Sequence, residues 1–166
     1  MALPENALAV YGDHPFANSA GVEISLKGGR VLLPTSDHAY YLARFELSES
    51  DTREAIINAD SPAQARSIAR EHGDKVRVNW EDIRLRVMTG VIRLKFRQHD
   101  ELQKQLLETG ESYIYADARK DAPENVDDDG TLESMRFWGV LDGEGENWIG
   151  NILMDIRSDL QEGKKI

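Results

Sequence analysis

The chain contains no cysteine. Disulfides and thiolate metal sites are therefore excluded, and the usual marker of a small secreted domain is missing. The first segment, Met1–Val10, has neither a basic start nor a long apolar core. Nowhere do about eighteen apolar residues follow one another, as a membrane-spanning helix requires. These absences predict a cytoplasmic protein that is not exported and does not cross a membrane.

Positive charge is also scarce, since 20 lysines and arginines stand against 30 acidic residues and the net charge is −10. Such a surface repels a phosphate backbone, so we expect no extended nucleic-acid surface, although a local contact with one nucleotide is compatible with this charge. The histidines show no paired spacing typical of metal ligands, and the acidic residues are scattered. We therefore predict no metal site. The four histidines are His14, His38, His72 and His99.

The apolar residues that are present suffice for one hydrophobic core. A length of 166 residues with 40% hydrophobic content predicts a single domain over residues 1–166. Val22–Leu33 alternates apolar and polar residues around Gly28-Gly29, and glycine supplies the positive φ that a tight turn needs. This pattern predicts a β-hairpin. Ser112–Ala116 also alternates and predicts a further strand.

Helical periodicity covers most of the remaining chain. Ser36, Ser61 and Asn79 are suitable helix caps, and Asp117–Ser134 is acidic with almost no apolar period, which predicts a mobile loop. The fold class expected is α+β, a mostly helical domain with a small antiparallel sheet. The predicted helices are Ser36–Phe45, Asp51–Asn58, Pro62–His72, Trp80–Phe96, Asp100–Thr109 and Asn147–Leu160.

A first group of candidate functional residues lies on the first predicted helix. Asp37, Tyr41 and Arg44 are spaced i, i+4 and i+7 and therefore share one helix face. A carboxylate and a guanidinium beside an aromatic ring suit a ribose nucleotide, since the acid binds hydroxyls or water, arginine binds phosphate and tyrosine stacks. The alternative interpretation is a solvated helix face with one ion pair.

A second group lies in Phe137–Gly150, a glycine-containing run that leads into the last helix. Its glycines, Gly139, Gly143 and Gly145, allow close approach of the backbone to a ligand. The helix that Asn147 is expected to cap offers free N–H groups to an anion. Trp138 could stack on a base, and Asp142 could complete the pocket. The alternatives are an ordinary turn before a helix and a tryptophan that packs in the core.

Read in order along the chain, short motifs resemble those of the NADAR N-glycosidases. The resemblance extends from Phe16 to Arg157, and its motifs keep both the order and the spacing of the family. They are Phe16-Ala17-Asn18, Pro34–His38, Asn79-Trp80, Lys95–His99, the Trp138-Gly139 pair, Asp142–Asn147 and the Gly150–Met154 segment.

The resemblance implies hydrolysis of an N-glycosidic bond in a ribosyl nucleotide. The implied substrates are an ADP-ribosylated guanine base or a ribosylamino-pyrimidine intermediate of riboflavin synthesis, and no cofactor is needed. Such a bond breaks through an oxocarbenium-like state, which requires a carboxylate near the anomeric carbon. Asp37 takes the place of the family's acidic residue, and Phe16 and Asn18 belong to the substrate-binding residues.

Three positions depart from the family pattern. Asp37 stands where the family has a glutamate, which keeps the charge but shortens the reach of the carboxylate by one methylene. Arg44 stands where the family has a lysine that is placed to form a Schiff base with the opened ribose, which a guanidinium cannot do. Met135 stands where the family has an acidic residue, and Asp127, Asp128, Asp129 or Glu133 are its possible substitutes. Three hypotheses therefore stay open, namely a divergent N-glycosidase, a nucleotide-binding module of the same fold without activity, and a scaffold without a small-molecule pocket.

Overall fold

Seven helices and two pairs of short strands make up the part of the chain that the computed structural model describes, residues 3–120 and 131–166. The α+β class with a mostly helical content is confirmed. The strands are β1 (Leu8–Val10), β2 (Ile24–Leu26), β3 (Val31–Leu33) and β4 (Ile114–Ala116). The helices are α1 (Ser36–Ala43), α2 (Ser50–Ile57), α3 (Pro62–Glu71), α4 (Trp80–Gln98), α5 (Asp100–Glu108), α6 (Leu132–Trp138) and α7 (Trp148–Gln161).

The predicted β-hairpin is present. Strands β2 and β3 pair antiparallel with Ile24 opposite Leu33, and the turn between them is a short 3-10 segment. Gly28 and Gly29 have φ values of 64° and 91° there, in the left-handed region that glycine enters without a steric cost. The alternation in Val22–Leu33 therefore reported the local fold correctly.

A second pair of strands was not predicted in full. Strand β4 pairs in parallel with β1, with Leu8 opposite Ile114. The expectation of one antiparallel sheet is therefore incomplete, because the described residues hold two separate two-stranded sheets. A three-residue strand is too short to show an alternating pattern, so Leu8–Val10 carried no signal of its own.

Of the four helix caps that the sequence indicated, only Ser61 caps its helix with its side chain, since Asn79 and Asn147 make no cap hydrogen bond. Ser61 accepts a hydrogen bond from the Gln64 backbone N–H at 3.1 Å, and Pro62 opens α3. At α1 the cap is Thr35 and not Ser36, since the Thr35 hydroxyl accepts from the His38 N–H. Helix α1 is the buried centre of the fold, because it packs on α2, α3 and α4 and all of Ser36–Leu42 is buried.

The predicted acidic loop ends earlier than expected. Residues 121–130 lie outside the described part of the chain, but Leu132–Ser134 form the first turn of α6, which corrects the predicted boundary at Ser134. The Thr131 hydroxyl caps this helix by accepting from the Ser134 N–H at 3.1 Å. At the other end of the loop, the Asp117 N–H donates to the Val10 carbonyl and continues the pairing of β1 with β4.

The last helix, α7, connects distant parts of the chain. Near its end Arg157, which is buried, donates to the Thr109 hydroxyl at 2.7 Å and to the Ser112 carbonyl at 2.9 Å. It thereby fixes the connection between α5 and β4. None of the helices in the described residues is long and apolar enough to cross a membrane.

Candidate functional site

The three residues predicted on α1 do not lie on a solvated surface. Asp37 is 5% exposed and Tyr41 is 1% exposed, while Arg44 is partly buried. The alternative interpretation of a solvated helix face is therefore wrong for Asp37 and Tyr41. A carboxylate that is removed from water in this way needs compensating charge or hydrogen bonds, which makes its surroundings informative.

Lys95 on α4 supplies charge next to Asp37. Its side chain has no exposed surface, and its Nζ donates a hydrogen bond to the Ala17 carbonyl at 2.8 Å. Burial lowers the pKa of Lys95 to about 7, and the nearby Asp37 carboxylate opposes this shift only in part. The site therefore contains an amine whose charged and neutral forms are both populated near pH 7, close to a buried carboxylate.

Lys95 was not predicted as a site residue, although the sequence contains a signal for it. Lys95 lies on the apolar stripe of α4, three residues after Ile92 and next to Phe96, both of which are fully buried. A lysine in such a position is either buried or reaches out of the core with its amine. Here it is buried, and a buried lysine with a lowered pKa is a typical functional group.

The loop before the hairpin brings Phe16 and Asn18 to the same place. The Asn18 carbonyl accepts from the Asp37 N–H at 3.1 Å, and the Phe16 ring packs on Phe96 with centroids 5.5 Å apart. The Asn18 Oδ1 atom is buried and has no donor among the described residues. His14 lies nearby, and burial lowers its pKa, with a further contribution from Lys95. Asn18 therefore lies beside Asp37, and Phe16 packs on the residue that follows Lys95.

An aromatic wall lies at the C-terminal half of α1. It consists of the rings of Tyr40, Trp80, Phe137 and Trp138. The Tyr40 ring contacts Trp80 and Trp138, with centroid distances of 5.1 Å and 5.8 Å. Two guanidinium groups lie on this wall, that of Arg44 at 5.7 Å from the Trp80 centroid and that of Arg84 at 4.3 Å from the Phe137 centroid. The rings and cations suit a planar base and a phosphate.

Trp138 has little surface left for stacking. It is 4% exposed, and its ring contacts Tyr40, Phe137 and Arg84. The alternative of a tryptophan that packs in the core thus describes most of its contacts. Its place at the substrate stays a prediction.

The glycines of the closing loop allow the chain to pack against itself. A Cβ atom at Gly139 would lie 2.5 Å from the Ala116 carbonyl oxygen, and one at Gly145 would overlap the Gly139 carbonyl. Gly143 and Asp142 both have positive φ, and Asp142 forms an ion pair with Arg119. These contacts explain why the loop needs its glycines without a ligand. Substrate contacts of Gly139, Asp142, Gly143 and Gly145 stay predictions.

Comparison with known proteins identifies the family. The sequence model described as "NADAR domain" matches residues 10–161, and this range contains every candidate residue considered above. The chain belongs to the NADAR family.

Relatives of this NADAR chain include two bacterial proteins. It is 36% identical over 152 residues to Riboflavin biosynthesis protein VVA0006 of Vibrio vulnificus, covering 90% of the chain but only 36% of that protein. It is 34% identical over 151 residues to N-glycosidase YbiA of Escherichia coli, covering 90% of the chain and 82% of YbiA. The chain thus corresponds to about a third of the riboflavin protein and to most of YbiA.

The fold of the NADAR chain also matches a solved structure. The NMR structure of the Escherichia coli protein YbiA superposes with a TM-score of 0.75 at 27% sequence identity, covering 98% of this chain and 89% of that one. The helices, the hairpin and the parallel strand pair therefore form the NADAR fold.

Asn147 has a different local role in this NADAR chain from the one predicted. Its side chain makes no cap hydrogen bond to α7. Instead, its amide donates to the Ile114 carbonyl at 2.9 Å and to the Tyr113 hydroxyl at 3.1 Å, and accepts from the Ala116 N–H at 3.0 Å. Both amide hydrogens are used within the protein, so Asn147 supports β4. Its direct contact with substrate stays a prediction.

The residues considered as substitutes for the acid at Met135 are only partly described. Glu133 is exposed in the first turn of α6, and Asp127, Asp128 and Asp129 lie outside the described residues. The described site thus offers Asp37 as its buried carboxylate, with Lys95 beside it.

Proposed function

We propose that this NADAR domain is a hydrolase that cleaves the N-glycosidic bond of a ribosyl nucleotide. The observation that carries the proposal is the buried pair of the Asp37 carboxylate and the Lys95 amine, next to an aromatic wall that bears two guanidinium groups. The similarity to YbiA, which is named an N-glycosidase, supports the same reaction.

The chemistry follows from these two groups. Asp37 stabilises the positive charge that develops at the anomeric carbon as the C–N bond weakens. The neutral amine of Lys95 forms a bond to that carbon while the base leaves with the bonding electrons and takes up a proton. The sugar ring then opens to a Schiff base, and water hydrolyses it, which releases the sugar and restores the amine.

This route assigns the amine to Lys95 and not to position 44. Arg44 keeps its charge at any physiological pH and cannot act as a nucleophile. Its position over Trp80 fits the binding of a phosphate beside the base. The hydrogen bond to the Ala17 carbonyl uses an N–H of the Lys95 amine and leaves the nitrogen lone pair for the attack.

The substrate is a ribosyl nucleotide of one of two kinds. A ribosylamino-pyrimidine is supported by the similarity to a protein named for riboflavin biosynthesis. An ADP-ribosylated guanine base is supported by the presence of two arginines on the aromatic wall, which suits a diphosphate.

A second candidate function is nucleotide binding without cleavage. It is favoured by Arg44, which replaces the lysine that the resemblance predicts, and by Met135 in place of an acid. In that case ADP-ribose or a related nucleotide raises the melting temperature and stays intact.

The decisive experiment measures base release. The pure protein is incubated with ADP-ribosylated guanosine, NAD and a ribosylamino-pyrimidine, and products are separated by chromatography and identified by mass. We expect release from at least one substrate, and a loss of roughly a hundredfold or more in Asp37→Asn, since the variant cannot stabilise the developing cation.

The matched control is Asp155→Asn, which changes an exposed carboxylate on α7. We expect it to have the activity of the unchanged protein. Intact substrates together with thermal stabilisation would establish the binding module instead, and the absence of both responses would leave neither function standing.

A further inference from the structure

The chain has three tryptophans, and their indole N–H groups differ in whether they have a hydrogen-bond acceptor. The Trp148 Nε1 donates to the Glu146 carboxylate at 2.8 Å near the surface. The Nε1 atoms of Trp80 and Trp138 are buried and have no acceptor among the described residues. The two side chains are 3% and 4% exposed, so bulk water does not replace the missing acceptor.

A buried N–H group without an acceptor is rare in folded proteins and costs stability. Two such N–H groups lie on the same aromatic wall. Both rings contact the same neighbour, Tyr40, and both carry a guanidinium nearby, Arg44 at Trp80 and Arg84 at Trp138. The two donors therefore lie on the aromatic wall to which the proposed function assigns the base.

We propose that the N–H groups of Trp80 and Trp138 donate hydrogen bonds to carbonyl oxygens of the substrate base, so that the site selects oxo-bases over amino-bases. This inference rests on the proposed function for the location of the substrate. It identifies Trp80 and Trp138 as specificity-determining residues.

The chemistry of the neighbours favours a base carbonyl as the acceptor. A phosphate is bound more strongly by the guanidinium groups of Arg44 and Arg84, because charge-assisted hydrogen bonds are roughly twice as strong as neutral ones. A neutral indole donor matches a neutral carbonyl oxygen. An exocyclic amino group at the same place would point its own N–H donor at the indole N–H donor. Both donors would then be buried without an acceptor.

The test removes the N–H group and leaves the ring. Trp80 or Trp138 is replaced by 3-benzothienylalanine, in which sulfur takes the place of the indole nitrogen and the shape is nearly unchanged. The same replacement of Trp148 is the matched control, because its N–H already has an acceptor in Glu146.

Binding is measured by calorimetry with inosine 5′-monophosphate and adenosine 5′-monophosphate, which differ in an oxo and an amino group, and with inosine, which lacks the phosphate. We expect the unchanged protein to bind the inosine nucleotide roughly tenfold more tightly than the adenosine nucleotide. The variants at Trp80 and Trp138 should lose this preference, and the variant at Trp148 should keep it. The melting temperature of the ligand-free variants at Trp80 and Trp138 should not fall.

Any of four results would overturn the inference. An equal loss of binding for both nucleotides, with no effect on inosine, would place the donors at the phosphate. Unchanged binding in every variant, or no binding of either nucleotide to the unchanged protein, would remove the tryptophans from recognition. A lower melting temperature would show that the N–H groups have an acceptor in the folded protein. If no substrate is cleaved but the inosine preference is present and sensitive to these replacements, the inference holds and the hydrolase does not.

Discussion

Two side chains of this NADAR domain compete for the role of the reactive nitrogen. Arg44 occupies the position at which the resemblance predicts a lysine, and its guanidinium lies over Trp80. Lys95 is on another helix, is fully buried and has a pKa of about 7. A nucleophilic amine must be neutral, so the proposed route depends on Lys95.

Substitutions at the two positions separate their roles. We expect Arg44→Lys to raise KM severalfold with little change in kcat, because lysine lacks the planar group that lies over Trp80. We expect Lys95→Met to remove turnover while leaving nucleotide binding in place. Steady-state kinetics and thermal shift measure the two effects. A large gain in kcat for Arg44→Lys, or full activity of Lys95→Met, would assign the amine to position 44.

The sequence predicted one member of the buried pair and missed the other. The spacing of Asp37, Tyr41 and Arg44 indicated a shared face, but spacing does not report burial, which depends on the helices that cover α1. Lys95 was hidden for the same reason. Lys95 lies 58 positions after Asp37 on another helix, and the two residues come together only in the tertiary structure. Periodicity describes positions within one element and cannot predict such a contact.

Among the elements, α7 depends on a connection that helix propensity does not provide. Asn147 precedes α7 with φ of 55° and makes three hydrogen bonds to residues in and next to β4. Asn147 therefore fixes the start of α7 against β4. It also holds the C-terminal end of the glycine-containing loop that precedes α7. Gly150 is part of the same contact, since a Cβ there would overlap the Ile114 carbonyl.

Asn147→Ala should destabilise the protein by about 2–4 kcal/mol, because it leaves buried backbone groups of β4 without partners and places alanine at positive φ. Chemical denaturation measures the free energy of unfolding. Asn151→Ala is the control, since the Asn151 amide makes one exposed hydrogen bond to the Glu146 carbonyl, and we expect less than about 1 kcal/mol there. Equal losses in the two variants would contradict this role of Asn147.

The elements that the sequence failed to predict share a physical feature. Strand β1 is three residues long and helix α6 is seven. Neither is long enough for its hydrophobic periodicity to be recognised in the sequence. Their stability comes from partners elsewhere, β4 for the strand and the Thr131 cap with core packing for the helix. The longer helices α3, α4, α5 and α7 carry their own apolar stripes, α3 has its Ser61 cap as well, and all four were predicted within a few residues.

For the whole molecule, the buried Lys95 predicts how stability depends on pH. Its pKa is about 7 in the folded protein and near its usual value of 10.5 in the unfolded chain. Between these values the unfolded chain binds more protons, so stability rises with pH. Below pH 7 the full cost of burying the charged amine is present. His14 and Asp37 are the charged or titratable groups that act on Lys95.

The unchanged protein should therefore gain on the order of 2 kcal/mol of stability relative to Lys95→Met when the pH rises from about 7 to about 9. The free energy of unfolding is measured in denaturant for both proteins at both pH values. Lys104→Met is the control, because Lys104 is exposed beside Glu101 and should give no such difference. A pH-independent difference between the unchanged protein and Lys95→Met would mean that Lys95 keeps an ordinary pKa.

The parallel pairing of β1 with β4 also determines when this sheet can form during translation. The first strand leaves the ribosome roughly 100 residues before its partner and stays without it for about 5–20 s at ordinary elongation rates. Asn147 and Arg157, which fix β4 and the connection before it, emerge later still. The nascent chain therefore presents an unpaired strand edge until β4 has been synthesised, and this interval is when a chaperone or a second nascent chain can bind it.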